Sequence, residues 1–279
     1  MAMTSTRPPM AAAGQPASAR IGTPTFASVL RSEFTKIRSV RSTYWTLLVL
    51  VVVTVGFGAL ASYGATRGPH GPLFDATQRS LGGLYISQLV IGVLGVLVIS
   101  SEYSTGMIRT TLTTMPRRGL MIAAKALVFT VVAFVTGLIT CFASFFLGQA
   151  IMSSSSDHIS VSLSQPNVLR AVIGGALFLT ACGLLAFGLG LLMRHTAGAI
   201  TTVVGLLFVL TILVNLLPSS WQNDVDKWMP ADAGTQIWST IPNQGQPPLF
   251  APWNGFAVLC GYAAIALIAG LILFRKRDA

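Results

Sequence analysis

Apolar residues run along this chain in long unbroken blocks, not in the one-in-two alternation of a strand or barrel wall. A helix rising 1.5 Å per residue needs roughly 20 such residues to cross about 30 Å of hydrocarbon. Six blocks qualify: about 43–63, 84–100, 120–150, 169–193, 197–217 and 254–274. The pattern therefore predicts an all-α polytopic membrane protein with six transmembrane helices. The third block is overlong and predicts a tilted helix, with Lys125 snorkelling toward the interface. The fourth and fifth are parted only by Arg194, His195 and Thr196. Residues 1–24, rich in Ala, Pro, Ser and Thr, show no apolar period and read as a disordered tail. The first long apolar run begins after residue 42, so no cleaved signal peptide is expected.

Two polar stretches carry a helical period. In residues 25–42, Phe26, Val29, Leu30, Phe34, Ile37 and Val40, continued by Tyr44, recur at spacings of three and four. Ser32, Lys36, Arg38 and Ser39 fill the other side, so this stretch predicts an amphipathic helix lying in the membrane plane. Glu33 breaks the pattern by falling on the apolar arc. Its expected partner is either Lys36 on the same helix or a basic residue of the next loop on that side. The second stretch is SSEYSTGMIRTTLTTMPRR at 100–118. Read as a helix, it has a Ser100 or Ser101 cap, Glu102 at the positive end of the dipole, and an Ile108, Leu112, Met115 stripe. Glu102, Thr105 and Arg109 share a second face, Gly106 weakens the helix, and Pro116 ends it. The alternative is a solvated basic loop.

Composition narrows the class. Only 9% of residues are charged and 53% are hydrophobic, against roughly 25% charged in soluble domains. The net charge of +10 reflects membrane orientation rather than nucleic-acid binding. With the N-terminus in the cytoplasm, fourteen Lys and Arg residues fall inside and only Arg67, Arg79, Arg170 and Lys227 outside. No Asp or Glu lies mid-span, which argues against ion-driven transport. Thr54, Gln88, Thr130, Thr136, Thr140, Thr180 and Asn215 are the mild polar groups at depth, serving either interhelical bonding or a substrate pathway. Small residues at 174–190, including Ala186 and Gly190, permit close packing within the bundle or a dimer seam. No Lys follows a Gly, so a GxxxxGK[ST] phosphate loop is absent, and ATP could bind only to another chain. Cys141, Cys182, Cys260 and the three His residues show no ligand spacing, so no metal, cofactor or catalytic residue is assigned. Four of five Trp residues (Trp221, Trp228, Trp238, Trp253) lie in the loop 218–254, as interfacial anchors or as part of short re-entrant helices.

Together these features resemble the type 2 permeases of ATP-binding-cassette (ABC) exporters. Glu102, Gly106, Leu112, Pro116, Arg118 and Lys125 follow that family's coupling-helix pattern, and LRSEFTKIRSVRSTYW resembles its connecting helix. The resemblance implies that Glu102, Tyr103, Thr105, Gly106, Ile108, Arg109, Leu112, Pro116 and Arg118 couple to an ATPase. It assigns the connecting helix to Glu33, Phe34, Ile37 and Arg38, with a Glu33–Arg109 or Glu33–Arg118 contact. The implied partners are a cytosolic P-loop ATPase carrying ATP and Mg, and a second permease chain, identical or related. The implied location is the cell membrane, with both termini cytoplasmic. Two readings from other classes stand beside it: a non-transporting membrane scaffold or regulator, and a membrane enzyme acting on lipids.

Overall fold

The computed structural model describes residues 25–68, 71, 73–104, 118–155, 159–193, 195–241 and 250–277, and no strand occurs among them. Helix α1 (Phe26–Ser39) ends at Val40, whose φ of −85° and ψ of 112° are extended, and α2 (Arg41–Ala65) starts at once. There follow α3 (Ala76–Ser80), α4 (Leu84–Ser104), α5 (Arg118–Ser153) and α6 (Val168–Met193). After these come α7 (Thr196–Val204), α8 (Leu210–Val214), α9 (Ser219–Asp226), α10 (Pro230–Thr235) and α11 (Pro252–Arg277). A π-turn at Gly205–Val209 joins α7 to α8 in one rod. His195 caps that rod, its Nδ1 accepting from the Gly198 amide at 3.3 Å.

Six rods among the described residues are long and apolar enough to cross a membrane, as the sequence pattern predicts: Arg41–Ala65, Leu84–Ser101, Gly119–Ser153, Val168–Met193, Thr196–Val214 and Pro252–Phe274. Helix α1, the start of α2, the end of α4 and the start of α5 lie together at one face of the bundle, here the amino-terminal face. Helices α3, α9 and α10 lie toward the opposite face.

Helix α6 is the core. Its apolar window is 72% buried, against 22% for α2, for the α7–α8 rod and for α11, which turn most of their surface outward. It packs on α4, α5 and α11. Without a hydrophobic drive between helices in lipid, close backbone approach supplies the packing energy, and small residues permit it. A Cβ on Gly95 of α4 would overlap the Gly183 carbonyl of α6, and one on Gly190 would stand 3.4 Å from Val96 Cα. The small residues at 174–190 thus pack inside this chain.

The connection between α2 and α4 folds back into the bundle. Gly83 lies so close to Thr54 that a Cβ would overlap its carbonyl, and Thr54 precedes the end of α2 by eleven residues. At 1.5 Å per residue, α4 begins about 16 Å below the end of α2. Ser144 of α5 donates to the Ser80 carbonyl at 2.6 Å, and Thr54 Oγ1 lies 2.5 Å from Ser87 Oγ. Irregular backbone at this depth is tolerated only where protein covers it. Ser80, Leu81 and Leu84 are accordingly fully buried.

Candidate functional site: the junction of α1 with the bundle

Helix α1 is wider in its apolar arc than in its contact with the protein. Val29 and Glu33 are buried, one turn apart, and face the bundle, where α5 is the main partner of α1. Phe26 and Phe34 are exposed and present their rings away from the bundle. Arg38 is exposed and Ile37 half-buried. A helix with an apolar side beyond its protein contact suits immersion in a membrane interface.

Glu33 is 2% exposed, and a carboxylate removed from water needs counter-charge. It has two. Lys36 Nζ donates to Oε1 at 2.6 Å, and Lys125 Nζ stands 2.7 Å from Oε2. Burial pushes the Glu33 carboxyl up, but the Lys125 and Lys36 ammoniums outweigh it and hold the group below its ordinary value of 4.5. The group is therefore ionised at neutral pH. Lys36 is the same-helix partner contemplated from sequence; the second, Lys125, comes from the spanning helix α5 and not from the loop that the sequence pointed to, whose Arg109 and Arg118 side chains lie outside the described residues. Lys125 corrects an expectation: it does not snorkel to the interface but is 4% exposed, its ammonium turned inward onto Glu33. The carboxylate offers a buried partner nearer than the headgroups.

Beside this triad a cavity of about 410 Å³ opens between the α1–α2 break and α4, lined by Lys36, Val40, Thr43, Leu94, Val98 and Lys125 among others. The residues expected to couple lie just beyond. Glu102 and Tyr103 belong to the last turn of α4 and Arg118 opens α5, but their side chains lie outside the described residues. Thr105, Gly106, Ile108, Arg109, Leu112 and Pro116 lie wholly outside them, as does the tail 1–24.

The opposite face contains an assembly that sequence reading missed. Asp75, 4% exposed, caps α3 by accepting from the Gln78 amide at 2.9 Å. Its other oxygen accepts from Ser239 Oγ at 3.2 Å and from the Thr240 and Ile241 amides at 2.6 and 3.1 Å. Arg170, at the start of α6, donates to the Ile237 and Ser239 carbonyls at 3.1 and 2.8 Å. The Asp-Ala-Thr-Gln order is a capping-box pattern and signals the cap, although not its distant partners. Trp238 is a second correction. It is fully buried beside Tyr85 and Phe178, whereas Trp221, Trp228 and Trp253 remain exposed. Asp232 on α10 accepts from Thr211 of α8 at 3.0 Å, and burial pushes its carboxyl up to about 6.

The polar groups at depth are mostly satisfied locally. Thr130, Thr140 and Thr180 each donate to the carbonyl four residues back, at 2.7 Å. Among the described residues no group of three His, Cys, Asp or Glu side chains could hold a metal ion.

Six rods long and apolar enough to span a membrane, with a short helix keyed onto them by charge, define a multi-pass membrane protein. The family model of the ABC-2 family transporter proteins matches residues 27–279. The chain belongs to that family and is the membrane-spanning permease component of an ABC transporter, a component that is not itself catalytic. A search of curated proteins gave no match.

Proposed function

We propose that this permease forms half of an ATP-driven export pathway and is driven by a separate cytosolic ATPase that docks on residues 100–118. The amino-terminal face is assigned to the cytoplasm of the cell membrane, because Lys and Arg concentrate there. ATP and Mg belong to the ATPase, since this chain has no phosphate loop. The observation that carries the reading is the Lys125–Glu33 pair. It ties α1 to the helix that directly follows residues 105–117, so a push delivered to that segment is passed to both α5 and α1. The exposed apolar faces of α2 and the α7–α8 rod supply the surface for a second permease chain, which completes the pathway. Export is the direction, because the family pattern carried by the coupling and connecting segments is that of exporters.

The test is purification of the tagged chain from its native host in mild detergent. A P-loop ATPase is expected to accompany it, and to be lost on changing Glu102 and Arg109. Reversing the charge at Arg109 is expected to abolish permease-stimulated ATPase activity without preventing membrane insertion. Recovery of the intact chain alone, under several gentle conditions, refutes the coupling.

A further inference from the structure

We propose that Asp232 and Thr211 form a proton-controlled latch, which holds α8, the part of the α7–α8 rod beyond its π-turn, against α10. Three observations converge on it.

The first is how little else holds α8. Helix α7 packs on α4 and α6, and the π-turn at Gly205–Val209 packs on α4 and α10. Helix α8 packs extensively only on its chain neighbours, the π-turn and α9. Among the described residues one side-chain hydrogen bond joins α8 to an element beyond those neighbours, from Thr211 Oγ1 to Asp232 Oδ2 at 3.0 Å. The second is the hinge. A π-turn interrupts the hydrogen-bond ladder of a helix and is a common origin of bends. Gly205, at its start, has open space beside it. Helix α10 is the fixed partner. It packs on α11 and runs directly into the segment whose Ile237 and Ser239 carbonyls accept from Arg170.

The third is charge. Asp232 is half-buried, and no Lys, Arg or His among the described residues pairs with it. Burial raises its carboxyl most, and Asp226 at the end of α9, a group of the same sign, adds to that. The Thr211 hydroxyl and a backbone amide oppose them without cancelling them, so the carboxyl stands at about 6 against its ordinary 3.8. Tyr85 of α4 is within electrostatic reach of Asp232. The ionisable groups of α6 and α11, which pack against α10, are Arg, Lys, Tyr and Cys side chains such as Arg170, Cys260 and Tyr262. Neither they nor Tyr85 change charge between about pH 4 and pH 7.

A carboxyl raised in the latched state binds its proton more readily there than in water. The latch is therefore complete below about 3.8, weakens as pH rises toward about 6, and changes no further above that. The ionised carboxylate regains water when α8 swings away about the π-turn, so acid on this face holds α8 down and neutral pH releases it. The latch needs neither an ATPase nor transport, so it can fail while the coupling reading stands, and the reverse.

The test is hydrogen exchange of the intact chain in detergent, corrected for the intrinsic rate at each pH. From about pH 4 to about pH 7, amide protection in α8 is expected to fall roughly 10- to 100-fold, with α6 and α7 unchanged. Asp232→Asn, an uncharged acceptor for Thr211, is expected to keep α8 protected at both ends of that range. Thr211→Val is expected to leave it weakly protected at both. Asp226→Asn is expected to shift the fall to lower pH. A flat α8 profile in the unmodified chain overturns the proposal whatever the folding of the variants. So does an equal fall in α7, or a fall that persists in Asp232→Asn.

Discussion

Replacing Lys125 by Met keeps the length of the side chain and deletes the cation that reaches Glu33 from α5. Removing one partner of a buried ion pair costs about 3–5 kcal/mol, because the other charge is left without compensation. Here the loss is smaller. Lys36 still holds Oε1 at 2.6 Å, although at one-third exposure solvent screens part of its attraction. About 1–3 kcal/mol is expected, concentrated in the docking of α1 rather than spread over the bundle. Since each 1.36 kcal/mol is a factor of ten, amide protection within α1 should fall roughly 5- to 160-fold by hydrogen exchange. Protection in α6, whose packing does not involve the pair, should be unchanged.

A second variant separates loss of attraction from the stranding of a charge. If the cost is a carboxylate left short of a partner, Glu33→Gln combined with Lys125→Met should be less damaged than Lys125→Met alone. Protection within twofold of the unmodified chain in Lys125→Met, or additive losses in the double variant, would refute the reasoning. The pH dependence carries a sign. The folded carboxyl lies below its ordinary value of 4.5, so the contribution of Glu33 is complete above that pH. It is lost as pH falls through the lower folded value.

Three further outcomes concern the opposite face. Asp75→Ala strips an acceptor from one side-chain and two backbone donors at 239–241, and is expected to cost about 3–5 kcal/mol and to open that segment to protease. Gly83→Ala forces a methyl group onto the Thr54 carbonyl and should lower the unfolding midpoint more than the same change at Gly56, which has open space beside it. For Asp232 the sign is opposite to that of Glu33. Its folded carboxyl is raised from 3.8 to about 6, so the native state binds the proton more readily and stability falls as pH rises through that window. Asp232→Asn, which can still accept from Thr211, should flatten that part of the pH profile of the unfolding midpoint.

The six rods were legible because apolar length is a property of composition, and the bilayer leaves a helix few alternatives. The misplacement of Glu33 on an apolar arc was legible as a demand for a cation. What remained open was which cation, since that depends on how α5 passes α1. Lys125 looked like a residue seeking headgroups because its sequence neighbours are apolar, and only the packed structure puts a carboxylate closer. Trp238 failed for a related reason. Its neighbours Trp221, Trp228 and Trp253 do sit exposed, but α10 and the turn after it fold against α6 and α11 and carry Trp238 inward. The return of α3 toward Thr54 left almost no trace in the pattern of apolar residues. Its signals are single residues, Gly83 for the close approach and Asp75 for the cap, which gain meaning only once their distant partners are known.

The two faces of the bundle are fastened by different chemistry, and the difference bears on which can move. On the opposite face the fastening is backbone. Thr240 and Ile241 amides enter one carboxylate, two carbonyls accept from Arg170, and Gly83 touches a carbonyl with no side chain between. Shifting such contacts by an ångström either breaks them or drives atoms into overlap. On the amino-terminal face the fastening among the described residues includes two lysines with long flexible stems meeting one carboxylate, next to a cavity. Ammonium groups can follow a moving partner by changing rotamers, and the cavity gives α1 room to move without a clash. A buried ion pair is weak as a source of net stability, since apolar side chains of the same volume often do as well. What the ion pair adds is a joint that yields without coming apart, placed where the chain turns from α1 into the first rod.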